Sequence, residues 1–82
     1  DDGVRYEAAT ALVRAGDARG MPVLVDGLVH SDPRVRSRSI NILQQVTGET
    51  FGYRADDHPH ERRAAVARWT HWLDQRAAPP RK

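Results

Sequence analysis

Apolar positions along this chain recur at helical rather than strand spacing, and four helices follow from them. The first is expected from about Asp2 to Ala15, with Val4, Ala8, Ala11, Leu12 and Ala15 on one face and Glu7, Thr10 and Arg14 opposite. Asp1 is its expected N-cap and Gly16-Asp17 its stop. The second is short, about Gly20 to Val29, with Pro22 in the first turn, where a missing N–H costs nothing. Leu24, Val25 and Leu28 form its stripe, Gly27 allows a neighbouring backbone to come close, and His30-Ser31 is the turn. The third opens on Asp32 as N-cap and Pro33 as first helical residue, runs to about Val46 and stops at Thr47-Gly48. At about 100° per residue, Val35, Ser39, Ile42, Leu43 and Val46 cover one of its faces, with Arg34, Arg38, Asn41 and Gln45 on the other.

Residues 48–58 break the pattern. This stretch is rich in Gly, Asp and Thr yet carries Phe51 and Tyr53, which predicts a loop that packs back on the core. The last helix is expected from near Pro59, capped by Asp57 or His58, to about Arg76. Ala65, Val66, Trp69, Trp72 and Leu73 form a wide apolar face, and Arg63, Ala67, His71 and Asp74 face away. Ala77 to Lys82 reads as a disordered, Pro-rich basic tail.

The pattern also repeats. Asp1, Val4, Arg5 and Leu12 recur in order as Asp32, Val35, Arg36 and Leu43, thirty-one positions later. A fixed period in this range is the mark of stacked-repeat architectures, in which each unit leaves an apolar face for its neighbour. With 82 residues and no cysteine, the chain is one small domain that neither disulfides nor thiolate metal sites reinforce. It contains no apolar run approaching the ~18 residues of a membrane span and no signal-peptide pattern at its start. The absence of an initiator Met and the half-repeat at the start predict a fragment of a longer chain.

Thirteen Lys and Arg against eleven Asp and Glu give a formal charge of +2. The pI of 9.7 reflects an Arg-dominated basic set rather than a large surplus. Two excess charges supply little phosphate affinity, so composition alone does not make a nucleic-acid binder.

The run Leu24-x-x-x-Leu28-x-x-x-Asp32-Pro33-x-Val35-Arg36-x-x-x-x-x-x-Leu43 resembles a HEAT repeat. Its spacing is similar to that of the short bacterial HEAT-like repeats named after phycobilisome lyases. The resemblance implies an all-α solenoid of antiparallel helical hairpins, with Pro-Val-Arg starting the second helix of each. On that frame residues 1–17 are the second helix of a partial repeat, 18–48 a full repeat, 49–76 a loop plus capping helix, and 77–82 the tail. It further implies a non-catalytic scaffold at the C-terminal end of an array. Its partner would be a protein or peptide, bound on a concave face centred on Arg34, Arg38, Asn41 and Gln45. No cofactor is implied. Two departures stand out: His30 occupies a turn position where the family often has Asp, and Ser39-Ile40 replaces the Ala8-Ala9 pair of the first copy.

Three other groups have the right chemistry for a site. Asp56, Asp57, His58, His60 and Glu61 could ligate a divalent ion, but helix capping explains the acidic residues, and no helical His-x-x-x-His accompanies them. His58 and His60 are thus weak metal candidates and no metal is assigned. Trp69 and Trp72 could stack on bases, yet their spacing beside Ala65 and Leu73 favours core packing. Arg5 and Arg36, related by the repeat, are expected to reach turn carboxylates of adjoining units. The alternatives to a protein scaffold are a basic helix face gripping nucleic acid and a lyase-type accessory domain. No nucleophile triad, phosphate-cradling Gly loop or paired-carboxylate constellation appears, so no enzyme is expected.

Overall fold

The computed structural model describes residues 2–77. Its elements are α1 (Asp2–Arg14), a 3-10 turn (Ala18–Gly20), α2 (Met21–Gly27), α3 (Pro33–Thr47) and α4 (Pro59–Ala77). Every regular element among the described residues is helical, as the apolar spacing predicts. The Asp1 cap and the tail beyond Ala77 lie outside the described residues.

The short helix α2 is the hub: α1, α3 and α4 all pack on it, and α1 also touches α3. Its stripe behaves as expected, with Leu24, Val25 and Leu28 buried. With Leu43 of α3 and Trp69 of α4, Leu24 and Leu28 form the fully buried centre of the core. A buried Trp removes roughly 200 Å² from water, about 5 kcal/mol as an upper estimate, so Trp69 is the largest single contributor here.

Helix α1 buries a different face from the one expected. Ala9 and Val13 are buried and Tyr6, Thr10 and Leu12 half-buried, whereas Ala8, Ala11 and Ala15 are exposed and Val4 is 64% exposed. The helix is turned by about one residue, ~100°, because it is apolar on two faces and the partner decides. That partner is Gly20: a Cβ there would strike the Ala9 carbonyl and Cγ2 of Val13. Only the Ala9/Val13 side lets the 3-10 turn press this close. Val13 is therefore inside and Tyr6 half-buried, edge-on to His30 at 5.8 Å.

The helix ends follow their sequence signals. After α1, Gly16 adopts φ 86°, the Gly16 N–H donates to the Val13 carbonyl and the Asp17 N–H to the Leu12 carbonyl, a Schellman motif. Asp17 then caps the 3-10 turn through the Arg19 N–H. The Arg19 guanidinium and backbone N–H hold the Asp17 carboxyl down to about 2. Asp32 caps α3 by accepting from the Arg34 N–H at 2.9 Å, and α3 ends on Gly48 at φ 78°.

On α3 the apolar face is wider than expected. Ser39, Ile42 and Leu43 are buried, joined by Ile40 and Arg36, while Val46 is 42% exposed near the helix end. Ser39 sits against Gly27, where a Cβ would meet the Ser39 side chain and the Tyr6 ring at 3.1 Å. The close approach expected at Gly27 is thus made by side chains, not backbone.

Residues 48–58 fold back on the core, as their aromatics predict. Phe51 (φ 54°) and Gly52 (φ 78°) lie under a Tyr53 N–H to Thr50 carbonyl bond of 3.0 Å, the pattern of a type I′ turn. A non-glycine residue in this region costs about 1–2 kcal/mol. Phe51 is held there by its ring, edge-on to Trp69 at 4.7 Å, and by the Arg68 Nε–H donated to its carbonyl at 2.8 Å. Trp69 Nε1 donates to the Thr50 carbonyl (2.9 Å), and the buried Tyr53 hydroxyl donates to Leu28 (2.6 Å). That bond satisfies a carbonyl left open where α2 ends.

Candidate functional site

Arg34, Arg38, Asn41 and Gln45 fall on one stripe of α3, and all four are exposed. The stripe is a direct result of helical spacing: the opposite side of the same turns carries Ser39, Ile42 and Leu43. The four are not equivalent. Arg34 folds back on the N-cap, its Nε 3.3 Å from Asp32 Oδ1 and its NH2 3.2 Å from Asp32 Oδ2. This contact and the Arg34 backbone N–H hold the Asp32 carboxyl below its ordinary value, and the carboxylate raises that of Arg34. Arg38 makes no hydrogen bond or ion pair among the described residues. It borders a cleft of about 50 Å³ whose other wall includes Gly3 and Thr10 of α1. The polar stripe therefore continues from α3 towards α1, with Arg38 at the junction and Asn41 and Gln45 one and two turns further on.

The repeat-related arginines take different partners. Arg5 donates to Asp26 Oδ2 at 2.9 Å, a carboxylate on helix α2 rather than in the expected turn. Arg36 reaches no carboxylate in its hydrogen bonding. Its Nε donates to the Ala55 carbonyl (3.1 Å) and its NH1 to the carbonyls of His30 (2.8 Å) and Ser31 (3.1 Å). The reason is position: residues 48–58 present carbonyls where Arg36 emerges, and a buried guanidinium needs acceptors in its plane. Arg36 is thereby a tie between the α2–α3 turn and the following loop.

His30 solves the departure noted at its position. Its Nδ1 accepts the Asp32 N–H at 3.0 Å, the contact an Asp side chain makes two residues ahead in an Asx turn. An imidazole nitrogen can therefore take the place of the carboxylate oxygen in this turn.

The other candidates resolve into structure. His58 and His60 are exposed at the start of α4, and the His58 carbonyl accepts the Arg62 N–H at 3.0 Å. No group of three or more His, Asp or Glu side chains among the described residues is arranged to hold a metal ion. Trp69 is fully buried, and Trp72 packs edge-on to it at 5.6 Å while remaining half-buried. The Arg76 guanidinium lies 4.8 Å from the Trp72 ring centre. Sequence reasoning missed the apolar grooves on either side of α4.

The family model for HEAT repeats matches residues 1–69. No curated protein and no solved structure matches the chain.

Proposed function

Since this chain belongs to the HEAT-repeat family, we propose that it is a protein-interaction scaffold that binds a peptide or protein along the exposed stripe of α3. On this reading α1, α2 and α3 stack as successive hairpin helices, α1 and α3 line the concave side, and α4 with its loop closes the end. The observation that carries it is the exposure of Arg38, Asn41 and Gln45 on successive turns, opposite a face already committed to the core. Arg38 supplies an unpaired cation at the α1–α3 junction, and Asn41 and Gln45 supply amide donors and acceptors along the stripe. Arg34, tied to Asp32, contributes less. The fitting partner is an extended segment with a carboxylate opposite Arg38 and polar groups beyond it.

Titration against an acidic peptide array tests this. The variant Arg38→Ala/Asn41→Ala/Gln45→Ala should keep its helicity and lose affinity about tenfold or more, ~1.4 kcal/mol. Unchanged peptide binding would overturn the assignment of the stripe. Duplex DNA at low salt should give a flat titration; affinity falling steeply with salt would replace the protein reading with a nucleic-acid one. A lyase-type activity is not proposed, because likeness of repeats does not carry chemistry.

A further inference from the structure

The two copies of the repeat are not equally covered. Val4, Ala8, Ala11 and Leu12 of α1 stand thirty-one positions before Val35, Ser39, Ile42 and Leu43 of α3. In α3, Ser39, Ile42 and Leu43 are buried. The element that lies on this face is α2: Ser39 sits on Gly27, and Val35 and Ser39 border one cleft with Leu24. In α1 the same positions are open. Ala8 and Ala11 are exposed, Leu12 is half-buried and Val4 is 64% exposed. Helix α1 meets the 3-10 turn and α2 with its other side, where Ala9 and Val13 are buried. The molecule thus holds an uncovered apolar face and, one period later, the element that covers its counterpart.

From this we infer that the Val4–Leu12 side of α1 seats a second helix of the α2 kind, joined through a turn to Asp1 as α2 is joined to Asp32. Length fits: from Val4 to Ala11 the strip rises about 10 Å at 1.5 Å per residue, the span of the seven-residue α2. Contact distance fits as well. Ala8 is smaller than Ser39, so a glycine in the place of Gly27 can come as close to α1 as Gly27 comes to α3. Leucines in the places of Leu24 and Leu28 then lie along the strip and take its apolar surface out of water. The covering helix leaves the polar edge of α1 open, because Arg38, the counterpart of Glu7, stays exposed on α3 with α2 in place. The inference rests on the repeat and on the unequal burial of its two copies, not on the α3 stripe.

The test places residues 18–31 a second time, directly ahead of Asp1, so that Ser31 runs into Asp1 as it runs into Asp32. The extended chain should melt about 4–8 °C above the 82-residue chain. Leu24→Asp/Leu28→Asp in the added copy alone should abolish that gain. The chain holds no cysteine, so Ala8→Cys installs a single thiol on the strip. Its labelling by a thiol reagent should slow about tenfold or more in the extended chain, the scale of a site opened only by local unfolding. Glu7→Cys, on the polar edge, should label at the same rate in both. The triple alanine variant of the α3 stripe should change neither result, which separates failure here from failure of the stripe. An extension that raises no melting temperature, or leaves Ala8→Cys as reactive as before, would overturn the inference. So would slowing at Glu7→Cys equal to that at Ala8→Cys. Protection of Ala8→Cys in the 82-residue chain that grows with protein concentration would overturn it too, by assigning the face to a second copy.

Discussion

Replacing Gly27 by Ala sets two physical effects of opposite sign against each other. Ala is the better helix former, by up to about 1 kcal/mol within a helix. Gly27 closes α2 with ordinary helical geometry, so no backbone strain opposes the substitution. What opposes it is space: the new Cβ would collide with the Ser39 hydroxyl and come within 3.1 Å of the Tyr6 ring. Both neighbours are packed, Ser39 being only 2% exposed. Overpacking of this kind costs about 1–3 kcal/mol. The clash should win by roughly 1 kcal/mol, lowering the melting temperature by about 4–8 °C in a domain of this size. Thermal unfolding by circular dichroism, with urea titration to confirm an unchanged slope, measures it. The double variant Gly27→Ala/Ser39→Ala removes the colliding hydroxyl and should recover at least half the loss. A Gly27→Ala protein more stable than the parent would falsify the claim that lost space outweighs helix propensity here. So would a second substitution that restores nothing.

Three further outcomes are expected. Tyr53→Phe should cost about 1–3 kcal/mol in urea unfolding, because it strands the buried Leu28 carbonyl. Burial also raises the Tyr53 phenol above its usual 10.0, so its stabilising effect is complete below pH 10 and declines as pH rises beyond; ultraviolet titration should show a late phenol that Tyr53→Phe lacks. Arg36→Leu leaves the Ala55, His30 and Ser31 carbonyls without their donor and should destabilise by about 2–3 kcal/mol, with Arg36→Lys recovering only part, since one ammonium cannot span the fork. Asp17, held at about 2 by Arg19, contributes stability that is present above pH 3.8 and fades as pH falls towards 2; in Asp17→Asn the acid limb of a stability–pH curve should be correspondingly shallower.

What could be read in advance was set by local chemistry. The Asp32-Pro33 start, the Gly16 and Gly48 stops and the Trp69 face of α4 each depend on a few adjacent residues, and each stands where the spacing puts it. The exposed stripe Arg34, Arg38, Asn41 and Gln45 was legible for the same reason. The buried face of α1 was not, because Val4, Ala8 and Ala11 compete with Ala9 and Val13, and the choice belongs to Gly20. Nor was the role of Arg36, whose acceptors lie on a loop that no helical period describes. The grooves beside α4 escaped notice because a groove is a property of two separated elements, whereas periodicity speaks of one.

Four of the side chains that donate into or out of residues 48–58 have a consequence for how the molecule comes apart. Arg36, Tyr53, Arg68 and Trp69 bind α2, α3 and α4 through one irregular segment. Arrays of like units ordinarily fray from their ends, each layer melting on its own. Here α4 cannot peel off without uncovering the carbonyls and apolar surface of α2 and α3. These three helices should therefore be lost in a single cooperative step.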